Sequence, residues 1–330
     1  MNEPASANDP ASEKDSQWCQ AALEAFYLTG PTASGKSPLA MAIARILDAE
    51  IVSLDSMAIY RGMDIGTAKP SVQDRQEIAH HLLDIVDPTE SFSVSCYVEA
   101  AHRVAAEVTA RGKRVLFVGG TPLYLKSLLR GMFLGPPSMP EFREAVEADV
   151  AQYGLELLRS RLEQVDPLLA HKLHPHDQRR MIRGLEVAMT TGRPLSHWQT
   201  QFETASRNPK IRAAVLGLDR SWLHERINVR VDTMLQLGLE SEVRQLLAVH
   251  GSFSKTAAQA VGYREILAYI EQELPWNQIV ADIKAHTRQF ARRQEIWFRG
   301  LAELERFELT PATKIDELAS HIAMWLQANP

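Results

Sequence analysis

The chain has 330 residues, 45% of them hydrophobic and 23% charged, the make-up of an ordinary globular protein with enough length for a large core and a smaller second unit. Its 36 Lys and Arg against 41 Asp and Glu give a formal net charge of −5, which excludes a chain-wide basic character, so any nucleic-acid surface must be a local patch. The only cysteines, Cys19 and Cys96, form no C-x-x-C pair, and neither a zinc ribbon nor a disulfide framework is expected.

Residues 1–22 open the chain with Ala, Ser, Asp, Glu and Pro and no apolar h-region. They are expected to be a disordered leader, neither signal nor transit peptide. No run approaches the length of a membrane span, and a cytoplasmic protein is expected. Ala25-Phe26-Tyr27-Leu28-Thr29 reads as a strand, followed at once by Gly30-Pro31-Thr32-Ala33-Ser34-Gly35-Lys36-Ser37. This is G-x-x-x-x-G-K-[ST] in its strand–loop–helix setting, the P-loop that cradles phosphates. Its glycines turn backbone N–H groups toward an anion, and the helix behind presents its positive end. Lys36 adds a point charge, and the Ser37 hydroxyl suits Mg²⁺. By motif alone the loop is nucleotide- or ATP-binding. Pro38 removes a backbone N–H that would face a third phosphate, a modest argument against ATP.

A helix is predicted over 39–47, then a buried strand, Glu50-Ile51-Val52-Ser53-Leu54-Asp55, ending in a carboxylate. Residues 59–70 read as loop. His81-Leu82-Leu83-Asp84-Ile85-Val86 is expected to be another strand, 93–111 a helix, and 114–118 a strand closed by Gly119-Gly120-Thr121. Pro122 then starts a helix to Arg130. Such alternation predicts a parallel α/β sheet, with ligands at the C-terminal ends of its strands. Gly30, Asp55 and Thr121 all fall at such ends. From 141 to 201 only helical periodicity remains, which predicts an all-helical insertion domain between core segments 23–140 and 202–330. A strand near 213–218 returns to the sheet. Beyond it the chain reads as helical, apart from a short strand near Phe307.

For Asp55 the residues leave two readings level, a metal-binding carboxylate or a general base aimed at an acceptor in the cleft. Thr121 can reach the cleft, cap the next helix, or do both. Two basic clusters stand out in this acidic protein. One runs through residues 171–183. The other sets Lys284, Arg288 and Arg292 on one helical face beside Arg293 and Arg299, with Trp297 and Phe298 interleaved. Arginine interleaved with aromatics favours an RNA backbone as partner.

Taken in order, the P-loop, Asp55-Ser56-Met57-Ala58-Ile59-Tyr60-Arg61-Gly62-Met63-Asp64-Ile65-Gly66-Thr67-Ala68-Lys69-Pro70, His81-Leu82-Leu83-Asp84, Val118-Gly119-Gly120-Thr121, Val261-Gly262-Tyr263-Arg264 and Arg293-Gln294-Glu295-Ile296-Trp297-Phe298-Arg299 closely resemble the bacterial tRNA dimethylallyltransferase family, also called tRNA isopentenylpyrophosphate transferases. The resemblance runs from about Tyr27 to about Gly300. It implies a P-loop NTPase-like core and a prenyltransferase of EC class 2.5.1. That enzyme moves a dimethylallyl group from its diphosphate to N6 of adenosine 37 in tRNAs reading UNN codons. In this reading the P-loop holds the departing diphosphate with Mg²⁺, Asp55 takes the amine proton, Thr121 contacts the diphosphate or bridging oxygen, and Lys36 and Arg230 neutralise the leaving group. The resemblance places tRNA contacts at Asp55, Ser56, Met57 and Ala58, at Arg143, and at Arg179, Arg180, Met181, Ile182 and Arg183. Further contacts fall at Gln259, Ala260, Val261, Gly262, Tyr263 and Arg264, and at Arg292, Arg293, Gln294, Glu295, Ile296, Trp297, Phe298 and Arg299. The anticodon stem-loop is the expected partner and a monomer the expected state. Two departures are Gln259, where some members carry a basic residue, and Pro122, where glycine is usual. Transfer to free AMP, a small-molecule P-loop kinase and a pure RNA-binding module are the competing readings.

Overall fold

The computed structural model describes residues 22, 24–131, 135–136, 138–198, 211–272 and 274–328. The leader expected at 1–22 lies outside these, apart from Ala22. The elements run β1 (Phe26–Thr29), α1 (Lys36–Leu47), β2 (Ala49–Ser53), α2 (Val72–Glu77), β3 (His80–His81), α3 (Val94–Ala110), β4 (Arg114–Gly119), α4 (Pro122–Arg130), α5 (Pro140–Tyr153), α6 (Leu155–Val165), α7 (Pro167–Lys172) and α8 (Gln178–Thr191). They continue with β5 (Arg212–Leu218), α9 (Arg220–Gln236), α10 (Leu239–His250), α11 (Tyr263–Gln272), α12 (Trp276–Arg299), β6 (Leu304–Leu309) and α13 (Ile315–Gln327). Two compact units emerge, Met1–Leu129 with Arg207–Pro330, and Arg130–Ser206.

In the first unit six strands pair in the order β3-β2-β4-β1-β5-β6, every pairing parallel. The strands are short apolar runs because helices cover both faces. Successive side chains alternate between those faces: Phe26 and Leu28 join the core that holds Leu39, Ile43 and Ile227, while Tyr27 joins the opposite core with Val52, Tyr97 and Phe117. Capping side chains set the helix starts. The Ser93 hydroxyl accepts from Cys96 N–H at 3.2 Å to open α3, and Asp219 accepts from Ser221 and Trp222 to open α9. Register places Thr29 of β1 beside Gly119 of β4, and the Thr29 hydroxyl donates to the Gly119 carbonyl at 2.8 Å. The ends of β2, β4 and β1 therefore lie side by side.

The strand expected over 81–86 is corrected. β3 stops at His81 because Leu82 and Asp84 take left-handed backbone angles, φ +58° and +57°, which no strand accommodates. The chain folds back instead. Ile85 N–H donates to the Ile59 carbonyl at 2.8 Å, Val86 bridges to Tyr60, and Lys69 and Arg75 both bind the Asp84 carboxylate. Those cations hold the Asp84 carboxyl below the usual range against its partial burial.

The second unit has its own small core of Val146, Leu158, Leu162, Leu169, Met181 and Ile182. Asp166 caps α7 by accepting from Leu169 N–H at 3.0 Å, with Pro167 at the first helical position. Glu186, fully buried, binds Arg143 with both oxygens, binds Arg183, and accepts from Met139 N–H at 2.7 Å.

Candidate active site

β1 runs directly into the P-loop, and Gly35 at φ +92° turns its last peptide into α1. The half-buried Lys36 side chain folds back across the loop. Its three N–H bonds meet the Gly30 carbonyl at 2.8 Å, the Pro31 carbonyl at 2.7 Å and the Ser34 hydroxyl at 3.4 Å. Burial, reinforced by the neighbouring charge of Arg230 and opposed by Asp55, pushes the Lys36 ammonium down to about 7. Arg230 is likewise lowered by burial, with Asp55 pulling it the other way. Two cations and one carboxylate thus converge at the end of the sheet. Ser37, the second residue of α1, is exposed.

Two residues beyond β2, Asp55 is fixed by the turn that follows it. Its Oδ1 accepts from Met57 N–H at 2.8 Å and from Ala58 N–H at 3.2 Å, an Asx-type lock that leaves Oδ2 without a described donor. Thr121 sits at the end of β4. Its backbone N–H donates to the Leu54 carbonyl at 3.1 Å, and its Oγ1 accepts from Ser56 N–H at 3.0 Å. The threonine hydroxyl is therefore tied to the Asp55 turn. Gly119 makes the approach feasible, since a Cβ there would lie 2.1 Å from the Leu54 carbonyl oxygen. Below, Tyr97 and Tyr124 stack at 3.8 Å, and the Tyr97 hydroxyl donates to the Ser53 carbonyl at 2.9 Å. Burial raises both hydroxyls, and the Asp55 charge adds to it, so the wall stays neutral.

Residues 62–66 are held from α10 by Glu242. Its carboxylate accepts from the N–H groups of Asp64 at 3.0 Å and Ile65 at 2.8 Å, and from the Tyr263 hydroxyl. Side chains from two further helices reach the P-loop itself. Arg226 of α9 donates to the Ala33 carbonyl at 2.7 Å, and Gln294 of α12 accepts from Thr32 N–H at 2.9 Å.

Among the residues expected to touch RNA, burial makes a division. Ser56, Met57 and Val261 are half-buried, and Glu295 lines a cavity. Arg179, Arg180, Gln259, Arg264, Arg292, Arg293, Ile296, Trp297 and Arg299 are exposed. Ala58, Met181, Ile182, Ala260, Gly262, Tyr263, Gln294 and Phe298 are buried, so their side chains serve packing or internal hydrogen bonds. Arg143 and Arg183 are engaged with Glu186. Between α9 and α12 lies a cavity of ≈ 240 Å³ lined by Arg220, His224, Arg288, Arg292, Glu295 and Arg299. Sequence reasoning missed Arg220, His224, Arg226, Tyr97 and Tyr124. Only Arg226 carried a signal, its i, i+4 spacing from Arg230 on one helical face.

A family model described as IPP transferase matches residues 58–301. The chain belongs to the IPP transferase family. The family's relatives include the tRNA dimethylallyltransferase of Rhodopirellula baltica, 47% identical over 305 residues that cover 89% of this chain and 91% of that protein. The Geobacter metallireducens enzyme of the same name is 44% identical over 83% of this chain and 89% of its own length. Among solved structures, the full-length tRNA isopentenylpyrophosphate transferase of Bacillus halodurans superposes with a TM-score of 0.66 at 34% identity, covering 92% of this chain and 97% of that one. A eukaryotic dimethylallyltransferase acting on tRNA gives a TM-score of 0.75 at 26% identity over 91% of this chain and 77% of its own. The fold of this IPP transferase is accordingly P-loop NTPase-like, a parallel sheet flanked by helices.

Proposed function

We propose that the protein transfers the dimethylallyl group of dimethylallyl diphosphate to N6 of adenosine 37 in tRNAs that read UNN codons. The observation that carries this reading is the joint placement of Lys36 and Arg230 at the P-loop beside one locked carboxylate, Asp55. Two partly desolvated cations with one acid favour a polyanion at the loop and leave a base facing it.

Each residue has a step. A diphosphate in the loop exchanges its own oxygens for the carbonyl acceptors that now hold the Lys36 ammonium. The allylic C1–O bond breaks and its electron pair leaves with the diphosphate, whose growing charge Lys36, Arg230 and the loop N–H groups stabilise. The adenine N6 forms the new bond to C1, and its proton passes to Oδ2 of Asp55, the oxygen the turn leaves open. Thr121, oriented by Ser56 N–H, now donates its hydroxyl proton to Ser56 Oγ at 3.4 Å and would turn it toward the diphosphate or its bridging oxygen once the substrate is in place. Among the described residues no His, Cys, Asp and Glu cluster could hold a metal. The exposed Ser37 hydroxyl would hold a Mg²⁺ as a single hard oxygen donor, which suits a cation that keeps most of its water. When bound it supplies further neutralisation of the leaving group.

The acceptor base must leave the anticodon stack to reach Asp55, which single-stranded loops permit. Exposed Trp297 offers a stacking surface, and the arginines around the α9–α12 cavity offer phosphate contacts. Arg179 and Arg180 offer others on the insertion. No helix of the described residues is long and apolar enough to cross a membrane. The test compares acceptors. Given dimethylallyl diphosphate, the protein should prenylate an anticodon stem-loop and leave AMP untouched by mass spectrometry; preference for AMP would overturn the acceptor assignment.

A further inference from the structure

Gln294 was expected at an RNA surface, yet it is 3% exposed and turned inward. On α12 it lies about 120° around the helix from Arg288, away from the face that lines the arginine cavity. Its amide is used in both directions. Oε1 accepts from Thr32 N–H at 2.9 Å, and Nε2 donates to the Gly120 carbonyl at 2.6 Å. Only this orientation of the amide satisfies both partners, a donor on one side and an acceptor on the other. Thr32 is the third residue of the P-loop motif. Gly120 immediately precedes Thr121. One side chain from 262 residues downstream therefore joins the anion-gripping loop to the turn that carries the threonine hydroxyl.

We propose that Gln294 is a positioning residue that holds the P-loop and the Gly120–Thr121 turn in register, so that the diphosphate grip and the Thr121 hydroxyl form one rigid unit. The inference rests on the diphosphate reading above. Gly120 belongs to the same device. It has no left-handed backbone angle to demand glycine, but a Cβ there would meet Nε2 of Gln294 at 2.5 Å, and the next atom, the Gly30 carbonyl oxygen, only at 3.3 Å. An added methyl would therefore act mainly by expelling the amide.

The experiment measures inorganic diphosphate binding to the full chain by calorimetry, with steady-state prenyl transfer in parallel. Gln294→Glu keeps the acceptor for Thr32 but sets an anionic oxygen against the Gly120 carbonyl; Gln294→Met keeps the volume and removes both bonds. Each should weaken diphosphate binding on the order of tenfold, the scale of a buried hydrogen-bond pair left unmade. The KM for dimethylallyl diphosphate should rise and the KM for tRNA should stay in place, a split that a general loss of folding would not produce. Gly120→Ala should weaken diphosphate binding as well, and combined with Gln294→Ala it should cost no more than Gln294→Ala alone. Diphosphate affinity within twofold of wild type in Gln294→Glu, or losses from Gly120→Ala and Gln294→Ala that add, would overturn the brace. A wild-type protein that binds diphosphate but makes no prenyl adenosine would sink the assigned reaction and leave the brace standing. Failure to bind diphosphate at all would sink both.

Discussion

The proposed catalytic cleft and the helical insertion solve the same problem, placing a charged side chain, by opposite means. In the cleft the main chain does most of the placing: Asp55 is locked by two backbone N–H groups, Thr121 by Ser56 N–H and Leu54 C=O, and Lys36 chiefly by loop carbonyls. In the insertion, side chains place one another. Buried Glu186 gathers Arg143 and Arg183, while Arg179 and Arg180, one turn earlier on α8, face solvent. The proposed chemistry sits in the turns just beyond the strand ends, where backbone hydrogen bonds fix the atoms. Recognition of a phosphate backbone tolerates the looser placement of long side chains on helices.

If that contrast holds, substitutions in the two regions should separate cleanly. The largest effect belongs to Asp55→Asn, which keeps the Oδ1 acceptor but removes the proposed base; kcat should fall by roughly 10³-fold with diphosphate and tRNA affinities nearly unchanged in single-turnover and binding assays. Next is the pH response of the loop. Lys36 holds its proton below about pH 7 and loses it above, because burial and Arg230 disfavour its charge. Diphosphate stabilises the charged form, so binding should take up protons near neutrality and weaken as pH rises from 7 to 9. Calorimetry in buffers of different ionisation enthalpy should show that uptake, and Lys36→Met should lower it by the share that Lys36 contributes.

How much of this was legible beforehand follows from the range of each signal. The P-loop, the strand ends at Asp55 and Thr121, and the helical run of the insertion announce themselves through local patterns of a few residues. The Glu186 triad does not, because Arg143 lies 43 residues away and an acid in the middle of α8 reads as a solvated face. The role of Gln294 was hidden for the same reason. A glutamine between arginines on an amphipathic helix gives no hint of partners at Thr32 and Gly120. Residues 81–86 misled by composition: the run is apolar enough for a strand, but Asp84 is claimed by Lys69 and Arg75, and the backbone bends to deliver it.

The insertion provides the next test. Glu186→Gln strips the anion from two arginines and should destabilise the protein by about 2–4 kcal/mol, read by denaturant titration, with inorganic diphosphate affinity unchanged. The same carboxylate has a pKa lowered chiefly through Arg143 despite its burial, so its contribution is present above the normal carboxylate range and is lost as pH falls through the lower folded value. Loss of diphosphate binding in this variant would break the separation of the two regions. The smallest effect is expected at the α9–α12 cavity. Arg220→Gln should weaken tRNA binding a few-fold and reduce the slope of log affinity against log salt by about one, leaving dimethylallyl diphosphate binding intact.

The central claim is that the P-loop grips a diphosphate that departs whole. Purified protein with Mg²⁺, dimethylallyl diphosphate and undermodified tRNA, without ATP, should release one inorganic diphosphate for each N6-dimethylallyl adenosine found in the nucleoside digest. Absence of the prenylated nucleoside, or orthophosphate in place of diphosphate, would contradict it.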